Sequence, residues 1–293
     1  MTLEQLRIFV AVAEREHVTR ASEHLRLAQS AVSYAVTQLE REYGVALFNR
    51  VGRRVELTDS GRVLLEEARS VLGRAAATRE RMLDLGGLRQ GVLRVHASHT
   101  IASYWLPHRL NDFHALHPEI QLSITIANTT EIYRMLRSGE ASLGLVEGDL
   151  PATDLLSDVV ALDQLVLVVA PDHPWASAPP QPAELYDSTW VSREEGSGTR
   201  LEFENDLRRL GVDPAKLTIM MEVASNEAMA GAVETGRAAT VLSASVVAGR
   251  IDAGLLHHVP LALPDRQFRI VRHPERNLSP AEAKFFAMLS ADR

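Results

Sequence analysis

The spacing of apolar residues changes near Gly86-Gly87, and this change divides the chain into two kinds of structure. Before it, apolar residues recur every three or four positions, which is typical of helices with one buried face. From Val92 onward, short apolar runs alternate with helical patterns, which predicts βαβ units and a parallel sheet covered by helices. With 293 residues, the chain can form two or three units with cores of their own. The expected fold class is therefore α+β and multidomain.

The first 58 residues contain short helical patterns followed by two short strand patterns. Apolar residues on one side of the first helix, from Leu3 to Ala13, predict a buried stripe. The remaining predicted elements are a helix from Thr19 to Leu25, a tight connection over Arg26–Ala28, a helix from Gln29 to Tyr43, and strands over Ala46–Phe48 and Arg53–Leu57 around Gly52. This order indicates a helix-turn-helix with a small β-wing.

The third predicted helix has an apolar face and a polar face. The polar face carries uncharged donors and acceptors that suit base edges in a major groove: Gln29, Ser30, Ser33, Tyr34 and Thr37. Three arginines of the wing, Arg50, Arg53 and Arg54, suit phosphates or the adjacent minor groove. From spacing alone, a solvated polar face on a structural helix remains the alternative.

One long helix without proline is predicted from Asp59 to about Leu85. Its apolar residues follow a heptad seam: Leu64, Ala68, Val71, Ala75, Thr78, Met82 and Leu85. Such a seam indicates a helix paired with its copy in a second subunit. The alternative is an amphipathic helix packed on the core of its own subunit.

Charge and composition limit the environment of the protein. Residues 1–90 carry a net charge of +2 and the remainder −9, which suits a polyanion-binding head on an acidic body. The absence of cysteine excludes disulfides and thiolate sites. No apolar run approaches the roughly 20 residues that cross a bilayer, and the N-terminus does not resemble a signal peptide. We therefore expect a cytoplasmic protein without a membrane partner.

The region after Val92 is expected to form two α/β lobes with a ligand cleft between them. Leu165–Ala170 is an apolar run typical of a strand buried on both faces, and a helix is predicted over Ile101–Leu116. Small polar residues stand at four strand-to-helix junctions: Ala97–Thr100, Asn128–Thr130, Ser192–Arg200 and Ala224–Asn226. Such junctions favour anions, although the same hydroxyls can act simply as helix caps.

Two other classes of protein explain the sequence less well. An enzyme is disfavoured because Gly196–Thr199 matches neither a P-loop nor GxGxxG, and because Ser98 beside His99 lacks a GxSxG elbow. The histidine pairs lack carboxylates at metal-ligand spacing. A solute-binding protein would leave the first 60 residues unexplained. No catalytic residue, metal or cofactor is therefore expected.

Motifs along the first 60 residues resemble those of LysR-type transcription regulators. They are Leu3–Phe9, Thr19–Ser22, Ala28–Ser33, Leu39-Glu40, Gly44–Phe48, Arg50 and Leu57–Gly61, in this order. The resemblance covers the whole chain, more loosely after residue 90. One position departs from the family pattern, because Tyr34 stands where such proteins often carry arginine.

This resemblance implies a winged helix-turn-helix over residues 1–58, a linker and dimerisation helix over 59–90, and a periplasmic-binding-protein-like effector domain over 91–293. Lobe I is expected at about 91–162 and 268–293, and lobe II at about 163–267. The implied effector-binding residues are Ser98, Thr100, Thr129, Glu147, Arg193, Ser197, Thr199 and Ser225. Arg193 is either a counter-ion for an acidic effector or an exposed surface arginine.

The partners that the resemblance implies are a double-stranded DNA operator, a small polar or anionic effector, further copies of the chain in a homodimer or homotetramer, and RNA polymerase. Effector binding is expected to close the two lobes and to change the angle between dimers. This coupling requires that the effector bind two arrangements with different affinities.

Overall fold

The computed structural model describes residues 1–52, 54–85, 91–148 and 154–291. By their contacts, the residues divide into two units. The first contains Met1–Arg89 and Met135–Ala141, and the second contains Gln90–Arg134 and Ser142–Arg293. The linker that the sequence predicts at Gly86-Gly87 lies outside the described residues.

The N-terminal part consists of helices and one small hairpin. Its elements are α1 (Leu3–Arg15), α2 (Val18–Leu25), α3 (Gln29–Tyr43), β1 (Phe48–Val51), β2 (Arg54–Leu57) and α4 (Asp59–Leu85). Thr2 and Gln5 form a reciprocal capping box that fixes the start of α1. The core is centred on Phe9, which is fully buried and packs against the ring of Phe48 at a centroid distance of 5.3 Å.

The prediction for the first wing strand was wrong at both ends, because β1 runs from Phe48 to Val51 and not from Ala46 to Phe48. Side chains from other elements form hydrogen bonds with the backbone just before the strand and at its first residue. Glu40 Oε1 accepts from the N–H groups of Leu47 and Phe48, and Thr58 Oγ1 donates to the carbonyl of Ala46. These groups therefore tie the chain to α3 and to the start of α4 instead of entering a β-ladder.

From residue 91 onward, strands and helices alternate. The elements are β3 (Val92–Ala97), a π-helix (Ile101–Trp105), α5 (Leu106–Leu116), β4 (Gln121–Ile126), α6 (Thr129–Ser138), β5 (Leu143–Glu147), β6 (Leu156–Val169), α7 (Pro174–Ser177), β7 (Thr189–Arg193), α8 (Gly198–Arg209), β8 (Thr218–Val223), α9 (Asn226–Glu234), β9 (Thr240–Ser243), α10 (Ala244–Asp252), β10 (His257–Val259), β11 (Asp265–Arg272) and α11 (Pro280–Ala291).

The sheets are mixed and not purely parallel. β3 pairs in parallel with β4 and β5, as predicted for βαβ units. In contrast, β11 pairs antiparallel with both β5 and β6. The prediction of a parallel sheet was wrong for β6 and β11, because neither strand is reached through a helical crossover to a parallel neighbour. β7 and β8 form a separate parallel pair.

Two groups of elements surround separate cores, and we name them lobe I and lobe II. The core of lobe I lies between β3, β5 and helices α5 and α11. The cores of lobe II lie on the two faces of the sheet that contains β9 and the second half of β6. β6 serves both lobes: its residues 156–164 pair with β11, and its apolar residues 165–169 pair with β9 and β10.

The helix predicted over Ile101–Leu116 consists of two parts. Residues Ile101–Trp105 form a π-helix, in which the N–H of Leu106 bonds to the carbonyl of Ile101, five residues earlier. Pro107 follows in the first turn of α5 and has no N–H to continue an α-helical ladder. Within the π-helix, Trp105 packs edge-on against Phe268 of lobe I, whereas Tyr104 packs against a core of lobe II.

Candidate functional site

Helix α3 is held by one face and exposes the other. Val32, Ala35 and Leu39 are buried in the core of the N-terminal part. On the opposite side, Gln29 and Ser30 are exposed, and Tyr34 is 66% exposed. Five polar side chains therefore lie along the outer side of one helix, with Ser33 and Thr37 half-buried at its edge.

The turn between α2 and α3 is short and tightly bonded. Arg26 adopts the left-handed conformation with φ 56°, and its neighbour Leu27 donates its N–H to the carbonyl of Ser22. Ala21 is completely buried where the two helices approach each other. This geometry is that of a helix-turn-helix, in which the second helix is presented to DNA.

The wing carries exposed arginines. β1 and β2 pair antiparallel, with Arg50 opposite Val55 and Gly52 in the turn at φ 62°. Arg50 and Arg54 are exposed, whereas Arg53 lies outside the described residues. The Val55 N–H donates to the carbonyl of Glu16 and so attaches the wing to the end of α1.

The heptad seam of α4 divides into a covered half and an uncovered half. Ala68 is buried, and Leu64 is half-buried with it against the core that contains Phe9. Farther along the helix, Val71 is 39% exposed and Met82 is 63% exposed. The side chain of Leu85, the last position of the seam, lies outside the described residues. The covered half thus supports packing on the core of the same subunit, and the exposed half supports pairing with a second copy.

In the second unit, the polar residues that follow the strands of lobe I are buried. Ser98 and Thr100 follow β3, Thr129 begins α6 after β4, and Glu147 ends β5. All four are among the buried polar residues. Thr129 Oγ1 donates to Glu147 Oε2 at 3.4 Å. Carboxyl ends of neighbouring parallel strands meet at one edge of a sheet, which is where open α/β proteins bind ligands.

Residues of lobe II approach this edge closely. A Cβ atom on Gly198 would lie 2.6 Å from Thr129 Oγ1 and 2.7 Å from Glu147 Oε2. Any side chain at residue 198 would therefore displace the edge of lobe I. Ser197 and Thr199, on either side of this glycine, are also buried.

Arg193 is a buried residue of this site and not an exposed surface arginine. It is 3% exposed, and its Nη1 donates to Asn226 Oδ1 at 2.7 Å. Asn226 Nδ2 in turn donates to Thr100 Oγ1 at 3.1 Å, which connects the two lobes. Glu194 forms an ion pair with Arg193 at 2.8 Å. Although burial raises the pKa of Glu194, hydrogen bonding and the charge of Arg193 lower it below 4.5 overall.

The four polar junctions differ in whether their side chains cap helices. Asn128 accepts from the N–H of Glu131 at the start of α6, and Ser225 accepts from the N–H of Ala228 in α9. Ser197, in contrast, precedes α8 without a capping hydrogen bond from its side chain. The structure does not bring Ser225 into the buried cluster, because its half-buried hydroxyl is bonded to Ala228 and Glu227.

Several buried residues of the site were missed by sequence reasoning. Arg266 and Asp163 form an ion pair of 2.7 Å across β6 and β11, with side chains 1% and 4% exposed. Arg266 Nη1 also donates to Thr199 Oγ1 at 3.0 Å. Charged residues in strands usually face solvent, so nothing in the local sequence distinguishes these two from surface residues. Asn226 belongs to a predicted junction, but its interlobe role depends on its partner in the other lobe.

Burial changes the protonation of two further groups. Partial burial lowers the pKa of His99 below 6.5, and the charge of Arg193 lowers it further, against opposing effects of Glu194, Glu147 and Glu227. Burial raises the pKa of Asp206 in α8 above 3.8, although Arg209 and Arg266 oppose this shift. Within the described ranges, no group of three histidine, aspartate or glutamate residues has the geometry of a metal site.

Family models match both parts of the chain. Residues 3–62 match the family described as bacterial regulatory helix-turn-helix protein, lysR family. Residues 86–292 match the family described as LysR substrate binding domain. In the part of the chain that the structure describes, every helix is too short or too polar to cross a membrane.

Relatives and solved structures agree with these matches. The HTH-type transcriptional regulator YeiE of Escherichia coli K12 is 32% identical over 97% of this chain and 96% of its own length. The RuBisCO operon transcriptional regulator of Allochromatium vinosum is 33% identical over 97% and 94%, respectively. CbnR, a LysR family transcriptional regulator, shares the fold with a TM-score of 0.71 at 22% identity, over 100% of this chain and 99% of that chain.

The regulatory domain of CcmR from Synechocystis PCC6803, solved with 2-PG, matches at 27% identity and a TM-score of 0.62. This match covers 69% of our chain and 96% of that domain. The two family models and the relatives confirm the family, the fold class and the non-enzymatic class that the sequence indicated. The chain belongs to the LysR family and is a DNA-binding transcription regulator with an effector-binding domain.

Proposed function

We propose that this regulator reads its operator with the outer face of α3 and responds to a small polar or anionic effector held between lobes I and II. The observation that carries the effector proposal is the buried polar cluster at the edge of lobe I. Glu147, Thr129 and Thr100 lie there against Gly198 and Asn226 of lobe II. A cluster of polar groups at the meeting of two lobes is typical of ligand sites.

The DNA-binding residues of this proposal are Gln29, Ser30, Ser33, Tyr34, Thr37, Arg50, Arg53 and Arg54. The exposure of Gln29, Ser30, Tyr34, Arg50 and Arg54 supports it, and Ser33 and Thr37 are half-buried at the edge of the same face. Because Tyr34 is uncharged, base reading here depends on hydroxyl and amide groups, and phosphate contacts depend on the wing arginines.

The proposed effector residues are Ser98, Thr100, Thr129, Glu147, Arg193, Ser197, Thr199 and Ser225, of which Ser225 has the least structural support. The uncapped first turn of α8 supports an anionic group on the effector, since free N–H groups at a helix N-terminus favour negative charge. The related CcmR domain was solved with 2-PG, and this complex also supports an anionic group on the ligand.

The proposed division of the chain is a winged helix-turn-helix over 1–58, a linker helix over 59–90 and an effector domain over 91–293. The exposed part of the seam of α4, at Val71 and Met82, supports pairing with a second copy in a homodimer or homotetramer. A DNA operator and RNA polymerase as partners support a location in the cytoplasm.

The test is selection from a genomic fragment library with the purified full-length chain at near-physiological salt, because affinity for DNA without its salt concentration is not interpretable. We expect a few recovered sites, each with two half-sites related by a dyad. Recovery of all fragments with equal efficiency would contradict sequence-specific reading by α3. A chain with Ser33→Ala and Thr37→Ala serves as the comparison, and it should recover these sites poorly.

A further inference from the structure

Glu147 is a buried carboxylate that accepts one long hydrogen bond from the described residues. It is 4% exposed, and among the described residues its hydrogen-bonding partner is the hydroxyl of Thr129, at the long distance of 3.4 Å. An ionised carboxylate can accept about four hydrogen bonds, and burying one without donors is costly. Glu147 can therefore accept further hydrogen bonds that the described residues do not supply.

Arg266, in contrast, has a buried donor that lacks an acceptor among the described residues. Its Nε donates to Asp163 Oδ2 and its Nη1 donates to Thr199 Oγ1. Its Nη2 is buried and has no acceptor among the residues that the structure describes. Because Nη1 contacts Thr199, the free Nη2 lies beside the first turn of α8, which Ser197 leaves uncapped. Buried side-chain donors rarely lack a partner unless a ligand or water supplies one.

The side chains of Glu147 and Arg266 lie on the same face of one sheet. Glu147 is directly opposite Phe268 in the antiparallel pair of β5 and β11, so the two side chains project to the same side. Arg266 precedes Phe268 by two residues and shares that side, and its guanidinium carbon lies 5.8 Å from the centre of the Phe268 ring. Glu147 and Arg266 are therefore diagonal neighbours on this side of the sheet, a spacing that long side chains can bridge to a common ligand.

We propose that the effector is a small zwitterion of the α-amino acid type, with its carboxylate on Arg266 Nη2 and the start of α8 and its ammonium group on Glu147. This inference rests on the proposed effector site and names the class of ligand that the site selects. Arg266 is already paired with Asp163, so it offers a donor but little net charge. A dianion would therefore face Glu147 without compensation, whereas a zwitterion satisfies both residues.

The test compares matched ligands on the full-length chain by calorimetry and thermal shift. The probes are the twenty L-amino acids and, for every amino acid except proline, the 2-oxo acid that has the same side chain. We expect at least one amino acid to bind, and its 2-oxo acid to bind about tenfold to a hundredfold more weakly, since a hydrogen bond to a charged group is lost. Glu147→Gln should reduce this preference to a few-fold, because the amide keeps the shape but not the charge.

Glu275→Gln is the matched control, since Glu275 is exposed. It should retain the full preference for the amino acid. Equal binding of amino acid and 2-oxo acid by the unaltered chain would overturn the zwitterion but not the effector site, because both ligands would then bind there. Failure of all twenty amino acids to bind would also overturn it. Operator selection tests the proposed DNA function separately, since it requires none of these ligands.

Discussion

Asn226 Nδ2 donates a hydrogen bond of 3.1 Å to Thr100 Oγ1, and this bond joins the start of α9 in lobe II to the loop that follows β3 in lobe I. Both residues are buried, and Asn226 also accepts from Arg193. The bond therefore stabilises the arrangement of the lobes seen here, and it can be removed without changing the shape of the side chain.

Thr100→Val is expected to destabilise the second unit by about 1–3 kcal/mol, because Asn226 Nδ2 would remain buried without an acceptor. Urea unfolding followed by tryptophan fluorescence measures this, since Trp105, Trp175 and Trp190 all belong to that unit. Thr100→Ser, which keeps the hydroxyl, should behave like the unaltered chain. A valine variant of unchanged stability would mean that the bond contributes nothing in solution.

Asp163→Asn should cost more, about 3–5 kcal/mol, because it leaves the buried guanidinium of Arg266 without its counter-ion. The amide preserves the volume of the side chain, so the loss reports on charge and not on packing. The same unfolding measurement applies, with Asp172→Asn at an exposed position as the control. A loss below about 1 kcal/mol would be typical of a solvated pair and would contradict the buried environment.

His99 predicts a pH dependence of stability. Burial and the charge of Arg193 lower the folded pKa of His99 below 6.5, its value in the unfolded chain. At a pH between the folded and the unfolded pKa, the unfolded chain therefore binds more protons than the folded one. The stability that neutral His99 contributes is present above pH 6.5 and is lost as the pH falls towards the folded pKa. His99→Gln should therefore flatten the decline in stability below pH 6.5. His114→Gln, on the exposed side of α5, is the control; an equal effect of both substitutions would contradict a special role for His99.

Operator binding should separate the α3 face from the wing. Once a site has been selected, Ser33→Ala should weaken binding to that site by about 1–3 kcal/mol and leave binding to unrelated DNA nearly unchanged. Arg54→Ala should weaken both and reduce the salt dependence by about one charge. Fluorescence anisotropy at several salt concentrations measures both effects. Equal loss on all sequences for Ser33→Ala would exclude base reading at this position.

The exposed part of α4 predicts an assembly surface that one substitution can disrupt. Val71→Glu should lower the molar mass measured by light scattering at micromolar concentration, because it places a charge on the seam. Val63→Glu is a matched control, since Val63 is 65% exposed on the same helix but lies off the seam. If both variants keep the mass of the unaltered chain, this seam does not mediate assembly.

The N-terminal part could be predicted from the sequence almost element by element. Helix α3 has the predicted bounds, because its apolar period, polar face and terminal Gly44 all indicate the same helix. The start of β1 could not be predicted, because it depends on Glu40, eight residues earlier, bonding to the backbone of Phe48. Local pattern specifies elements well and specifies bonds between distant positions poorly.

The effector site was predictable only in part for the same reason. Junction residues such as Thr129 are recognisable because a strand ends just before them. Arg266 lies within a strand, and its burial depends on Asp163, which is 103 residues away in sequence. Likewise, the sequence does not show that the side chain of Ser225 caps α9 whereas that of Ser197 leaves α8 uncapped. Only their hydrogen bonds in the structure distinguish the two serines.

The shared strand β6 has a mechanical consequence. Together with β11 it forms a ladder that continues from lobe I to Gln164, and the next residue, Leu165, already pairs with β9 of lobe II. Relative motion of the lobes must therefore twist this ribbon, since sliding would break its ladder. The ion pair between Asp163 and Arg266 lies where this ladder passes from lobe I to lobe II. A ligand bound to Arg266 would therefore contact the ladder where it passes from one lobe to the other, and this is where a twist of the strands would change the angle between the lobes.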